Sequence, residues 1–350
     1  MNSLTHGGTT PSTASPRAAP VVPALHADGV GVSVVIPTFR RPALVVRCLD
    51  AVIAQRIDPA AYEVIVVDDG RTPDTQAAVE DVARQHPAHT IRYLRPHGGH
   101  GPAAARNAGW QAARAPVVAF TDDDTVPDPG WLREGLAALD GGFDAVAGRI
   151  EVPLPPEPTD YERDAAGLAR AEFATANCFV RRAALVAIGG FDERFRTAWR
   201  EDTDLCFALR AQDRRVGTAE RARVVHPVRP AGWGVSLAQQ RKVMFDALLY
   251  KKYPAWYRRE VRPRPPFHYY AMVAAGLAGV LAVATGQVVP AAVGIAIWIG
   301  LATRFAARRL ADTSRTPRHV AEMAWTSLWI PWLSVYWRVR GALRYRVWFV

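Results

Sequence analysis

Val32-Ser33-Val34-Val35-Ile36 reads as a short buried strand stopped at Pro37. Leu44, Val45, Cys48, Leu49, Val52 and Ile53 then recur at helical spacing, with Pro42 suited to the first helical turn. The same unit repeats outward from here. Glu63 to Val67, Thr90 to Leu94 and Pro116 to Phe120 are further strand runs, separated by helix-length segments. Strands alternating with helices predict an α/β domain whose mostly parallel central sheet carries helices on both faces. Ligands of such sheets bind beyond the C-terminal strand ends. The residues that follow each strand are therefore the ones to read for chemistry.

A chain of 350 residues has room for one large domain and an appendage. With 49% hydrophobic and 22% charged residues, it is neither disordered throughout nor a polytopic transporter. Residues 1–30 are rich in Thr, Ser, Pro, Ala and Gly and predict a disordered tail. Arg17 and several prolines interrupt its apolar run, against a secretory signal. Cys48, Cys178 and Cys206 lie far apart with no C-x-x-C pair, which fits a reducing compartment and neither a disulfide framework nor a metal–thiolate cluster.

The net charge of +10 is concentrated in the last hundred or so residues. Lys251, Lys252, Arg258, Arg259, Arg262 and Arg264 precede a long apolar stretch, and Arg304, Arg308, Arg309, Arg315 and Arg318 follow it. Basic residues flanking apolar spans mark cytoplasmic membrane flanks. No basic stripe with interleaved aromatics occurs before them, so no nucleic-acid partner is expected. Tyr269 to Gly286 and Val288 to Thr303 carry no charged side chain and approach the ~20 residues that span a bilayer. The alternative is a buried pair of soluble helices. A third apolar stretch, Val320 to Trp337, contains Glu322 and Pro331, and Arg338, Arg340, Arg344 and Arg346 follow it. Spanning would put those arginines outside, against the positive-inside bias, so an interfacial or re-entrant segment is expected. The organisation expected is a tail over 1–30, an enzyme domain over 31–250 and a basic linker over 251–266. A transmembrane hairpin over 267–305 and a basic, Trp-rich segment over 306–350 complete it.

Four constellations carry candidate chemistry. Val66-Val67-Asp68-Asp69-Gly70 places two carboxylates at a strand end, able to accept hydrogen bonds from a base and a ribose, or else to make an ordinary Asp-Gly turn. Phe120-Thr121-Asp122-Asp123-Asp124 places three carboxylates after another strand. They repel one another unless a cation sits among them, and hard divalent cations prefer carboxylate oxygens, with a diphosphate completing the shell. Gly98-Gly99-His100-Gly101-Pro102 runs into Arg106-Asn107-Ala108-Gly109, where free backbone N–H groups could meet an anion and Arg106 could reach a phosphate or the acidic loops. Finally, Gly189-Gly190-Phe191-Asp192-Glu193-Arg194-Phe195 precedes Trp199-Arg200-Glu201-Asp202-Thr203-Asp204-Leu205, whose carboxylates stand at a helix N-terminus, where acidic residues also serve as caps.

In this order the motifs closely resemble the family 2 glycosyltransferases of the GT-A fold, over roughly Val32 to Tyr250. The resemblance implies roles position by position. Pro37, Thr38, Asp68 and Asp69 would frame the nucleotide base and ribose, Asp69 foremost, with Arg106 helping to order that pocket. Asp122 and Asp124 would match the outer residues of the family's D-x-D metal motif, and Asp123 would stand beside the nucleotide sugar as a competing ligand. Asp202 would be the general base, supported by Glu201, and His226 a further metal ligand. Processive synthases of this family carry Q-x-x-R-W, but this chain reads Gln239-Gln240-Arg241-Lys242-Val243-Met244. Transfer of a single sugar is therefore expected, from a nucleotide-sugar donor with Mg²⁺ or Mn²⁺, to a glycan or lipid-linked acceptor. The expected location is the plasma membrane, with the enzyme domain facing the cytoplasm. A nucleotidyltransferase would need glycines where Thr38-Phe39-Arg40-Arg41-Pro42 has none, and a catalytically inactive membrane scaffold would have no use for Asp122, Asp124 and Asp202.

Overall fold

The computed structural model describes residues 30–96 and 98–349; the expected tail, apart from Val30, lies outside the described residues. The first half runs β1 (Val32–Thr38), α1 (Pro42–Ile53), β2 (Tyr62–Asp68), α2 (Pro73–Gln85), β3 (Thr90–Leu94), α3 (Pro102–Ala112) and β4 (Val117–Thr121). Then come β5 (Val126–Pro127), α4 (Trp131–Leu139), β6 (Ala145–Glu151), α5 (Asp160–Ala165), β7 (Asn177–Arg181), α6 (Arg182–Ile188), α7 (Glu201–Ala211) and β8 (Val216–Val225). The C-terminal part is helical: α8 (Val235–Gln239), α9 (Met244–Lys252), α10 (Pro254–Trp256), α11 (Phe267–Ala284), α12 (Val288–Arg309) and α13 (Pro317–Tyr345).

Eight strands form one sheet in the order β3-β2-β1-β4-β7-β6-β8-β5. β3, β2, β1 and β4 are parallel neighbours, as the alternating pattern predicts. The second half mixes directions, because β7 runs antiparallel to both β4 and β6 while β6 and β8 are parallel. Period-two alternation divides the strand side chains between two cores. Val32, Val34 and Ile36 pack with α1 residues Val45, Leu49 and Val52 on one face. Val35, Ile65 and Val67 pack with Ala105 and Trp110 of α3 on the other. Gly109 lets α3 lie close to the sheet, since a Cβ there would run into Val35 and Val67.

α11 and α12 form the expected hairpin, and both are long and apolar enough to cross a membrane. Only 22% and 17% of their apolar windows are buried, unlike a pair of soluble core helices. The boundary expected at residue 250 falls inside α9, whose Phe245, Leu248 and Leu249 share a core with Phe195, Phe207, Tyr257 and Phe349. Within the segment over 306–350, α13 is one continuous helix through Pro331. Its buried face, including Ser334, Arg338 and Gly341, packs on the enzyme domain, where a Cβ on Gly341 would lie 2.6 Å from the Met244 carbonyl oxygen. Trp325, Trp329, Tyr336 and Leu343 line its exposed side.

Candidate active site

The parallel strands end side by side, with Pro37 and Thr38 in register with Val67 and Asp68. Asp68 is fully buried and its carboxylate is used locally. Oδ1 accepts from Gly70 N at 2.8 Å, and Oδ2 accepts from Thr72 N and Tyr93 Oη, each at 2.9 Å. These bonds hold the turn that follows β2. Asp69 faces the glycine-rich loop: Oδ2 accepts from Gly101 N at 2.8 Å, and Oδ1 lies 3.1 Å from His100 Nδ1. The Gly101 N–H is thus taken by Asp69. Gly101 itself has φ +100°, and a Cβ there would stand 2.6 Å from the Arg196 carbonyl oxygen. Only glycine accommodates both conditions.

The three consecutive aspartates after β4 point to three different partners. Asp122 accepts from Arg106 Nη2 at 2.7 Å. Asp123 accepts from Thr38 Oγ1 at 2.7 Å and from Arg41 Nη1 at 2.8 Å. Asp124 lies 3.3 Å from His226 Nε2 and 2.8 Å from Arg229 Nε. Burial would raise the Asp122 pKa, but the Arg106 charge and then His226 outweigh it and leave Asp122 below the usual carboxylate range. Asp123 goes the other way, to about 6, because burial exceeds the help from Arg41 and Thr38.

One ligand atom each from Asp122, Asp124 and His226 comes within 4.8 Å of the others. Two carboxylates and an imidazole suit a divalent cation of the Mg²⁺ or Mn²⁺ kind, with positions left for oxygen ligands. Asp123 faces away from this group, toward β1, which settles which of the three aspartates pair with His226.

Arg106 is 2% exposed and joins the two acidic motifs, reaching Asp122 with one nitrogen and Glu201 Oε1, at 3.2 Å, with another. Its contacts therefore tie the loop after β4 to the start of α7. Glu201 is buried and its Oε2 has no hydrogen-bond partner among the described residues. Burial and the adjacent Asp202 charge push its pKa to about 7, against the pull of Arg106. Asp202 is raised as well, by burial, with the Thr203 N–H and the charges of Arg106 and Arg200 opposing. Asp202 lies in the first turn of α7 and accepts from the Thr203 N–H, whose N is 2.6 Å away, while α7 has no side-chain cap at its N-cap residue Arg200.

The remaining motif residues hold the site together. Asn107 donates to the Phe191 carbonyl and accepts from Phe191 N, each at 2.9 Å, clamping α3 to the Gly189–Phe195 loop. Gly190, at φ +74°, leaves room for that clamp, since a Cβ would come 2.6 Å from Asn107 Oδ1. Sequence reasoning missed Arg41 and Arg229, which pair with the aspartates from distant loops. The signal for Arg229 was its place three residues after His226 in His226-Pro227-Val228-Arg229. It also missed Asp246, which accepts from Trp199 Nε1 at 3.0 Å and Arg200 Nε at 2.8 Å in the turn before Glu201 and Asp202.

The chain matches the sequence profile of Glycosyl transferase family 2 over residues 33–216, and that of Glycosyl transferase family group 2 over residues 160–339. Glycosyltransferase AglE of Haloferax volcanii is 29% identical over 261 residues, 68% of this chain and 83% of that protein. Validoxylamine A glucosyltransferase of Streptomyces hygroscopicus subsp. limoneus is 30% identical over 51% of this chain, which spans 48% of that relative's length. Among solved structures, a mannosyltransferase from Pyrobaculum calidifontis in complex with GDP-Man and Mn²⁺ shares the fold, with a TM-score of 0.53 at 20% identity over 85% of this chain and 87% of that one. The profile match spans both acidic strand ends and the Glu201-Asp202 pair, and the chain belongs to glycosyl transferase family 2, a sugar-transferring enzyme of the GT-A fold.

Proposed function

We propose that the chain moves a single sugar, with inversion, from a nucleotide-diphosphate sugar to a hydroxyl of a glycan or lipid-linked acceptor. The observation that carries this reading is the pairing of two acidic groups across Arg106: Asp122, Asp124 and His226 on one side, Glu201 and Asp202 on the other. The Pyrobaculum mannosyltransferase structure, which contains GDP-Man and Mn²⁺, supports a donor and metal of this kind. Mg²⁺ or Mn²⁺ bound by Asp122, Asp124 and His226 would stabilise charge on the diphosphate leaving group. Asp69, at the end of β2, would receive the nucleotide, and Arg41 and Thr38 would hold Asp123 aside from the metal. Asp202 would take the acceptor hydroxyl's proton as that oxygen attacks the anomeric carbon and the bond to the diphosphate breaks. Glu201, held by Arg106, would fix the start of α7 under the base.

The exposed apolar hairpin and its basic flanks support attachment to the plasma membrane with the enzyme domain in the cytoplasm. A thermal-shift screen of nucleotide sugars with Mn²⁺, Mg²⁺ or a chelator tests the donor reading, because a ligand that binds only the folded state raises apparent stability. The expected result is stabilisation by one nucleotide class that depends on metal. Stabilisation of equal size in chelator would overturn the metal assignment.

A further inference from the structure

Asp246 is 1% exposed and stands on α9, outside every motif described above. A buried carboxylate of this kind must be paired. Its Oδ1 receives two donors from one turn, Trp199 Nε1 and Arg200 Nε. Its Oδ2 faces Arg338 of α13, whose Nη2 is 3.7 Å away and whose side chain is 2% exposed. Asp246 is the only carboxylate within salt-bridge reach of Arg338 among the described residues.

The turn so held is an unusual one. Arg200 has φ 76°, a left-handed backbone that a non-glycine residue keeps only where its surroundings impose it. The Arg200 guanidinium also lies 4.5 Å from the Trp199 ring centroid, so Asp246 and the indole together fix both ends of the turn. Glu201 and Asp202 follow directly, and the Arg200 carbonyl accepts from Asp204 N at 2.8 Å to begin α7. Asp246 thus holds, through Trp199 and Arg200, the turn from which Glu201 and Asp202 follow.

We propose that Asp246, backed by Arg338, is a positioning residue for the Glu201-Asp202 pair, linking α13 to the turn that carries the base. The proposal rests on the reading of Asp202 as base, and adds that part of the helix packed against the membrane hairpin keeps that base in place. α13 is well suited to this, because the close approach of Gly341 to Met244 fixes it against α9 immediately beside Asp246.

The test is hydrogen–deuterium exchange on the full chain in detergent, with no substrate required. Asp246→Asn should speed exchange of the 201–204 amides about tenfold while the 120–124 loop stays as in wild type. Arg338→Met should act in the same direction, Arg338→Lys should restore most protection, and the Asp246→Asn/Arg338→Met pair should be no worse than Asp246→Asn alone. If Asp246→Asn does not fold, Trp199→Phe keeps the ring and removes the indole donor, and should loosen the same amides about threefold. A merely structural anchor predicts loosening of α9 and α13 with the 201–204 amides unchanged, and that result overturns the proposal. Turnover on whichever of UDP-glucose, UDP-N-acetylglucosamine and GDP-mannose the wild type consumes separates this from the parent reading. Full activity of Asp202→Asn would remove the base assignment yet leave the exchange result standing. An inactive Asp202→Asn with an unloosened turn in Asp246→Asn would remove only the positioning role.

Discussion

Arg229 Nε stands 2.8 Å from Asp124 Oδ2, while the other oxygen of that carboxylate faces His226, so a guanidinium flanks the candidate metal group. The Arg229 side chain is half exposed beside the group where a diphosphate would bind. Arg229→Ala should therefore tighten binding of Mn²⁺ alone about threefold and weaken binding of a nucleoside diphosphate in Mn²⁺ about tenfold, the size of one lost charge-assisted contact. Titration calorimetry of the two ligands checks it. Losses of equal size for both would mean that Arg229 only shapes the loop.

Asp202→Asn keeps the shape of the side chain and its bond to Thr203 but cannot take a proton at neutral pH. Turnover should fall ~10²–10⁴-fold, the usual cost of losing a positioned base. Nucleotide affinity, which the proposed function assigns to Asp69 and the metal group, should stay within about twofold. Measuring both on the same variant decides the matter: near-normal turnover would falsify the catalytic role.

Glu201 gives a pH signature in the metal-free protein. Its pKa is about 7 when folded, against an ordinary 4.5, so the folded state holds a proton that the unfolded state has released across that window. Stability from this group is therefore greatest below pH 4.5 and is lost as pH rises toward 7. Glu201→Gln removes the ionisation. The variant's melting temperature should match wild type near pH 4.5 and exceed it by pH 7.5, as followed by thermal unfolding across a buffer series. A wild type that gains on the variant with rising pH would show that Glu201 is ionised throughout.

Phe349 is 1% exposed and packs against Tyr250 and Tyr257 at the end of the chain. Phe349→Ala should cost about 3 kcal/mol of stability, as a buried phenylalanine does. Truncation of 267–350 should leave the core around Phe195, Phe245 and Tyr257 open and yield aggregated protein. Denaturant unfolding and size-exclusion chromatography check the pair. A soluble, monomeric truncation would restore the boundary expected at residue 250.

Much of this enzyme was legible in its sequence because the relevant signals are local. Apolar runs and period-two alternation mark β1 to β4, and the carboxylates at the ends of β2 and β4 need no more than strand ends to be placed. The length and uncharged character of α11 and α12 likewise follow from composition. What the sequence could not show was where each carboxylate within a motif points. Asp68 and Asp69 are adjacent, and so are the three aspartates after β4, but each side chain's direction depends on a partner brought from elsewhere: Tyr93 for Asp68, Arg41 for Asp123, His226 for Asp124.

The sequence alone determined the α/β pattern of the first half, the order of the acidic motifs and the presence of an apolar C-terminal pair, since strand and helix periods and hydrophobic length are properties of contiguous residues. Only the tertiary structure decided that Arg106 bridges Asp122 and Glu201, that Arg229 faces Asp124, and that Arg338 of the last helix stands behind Asp246 and the turn before Asp202. These contacts join residues far apart along the chain. Burial forces each charge to find an opposite partner, but which partner it meets is fixed by how the helices pack on the sheet.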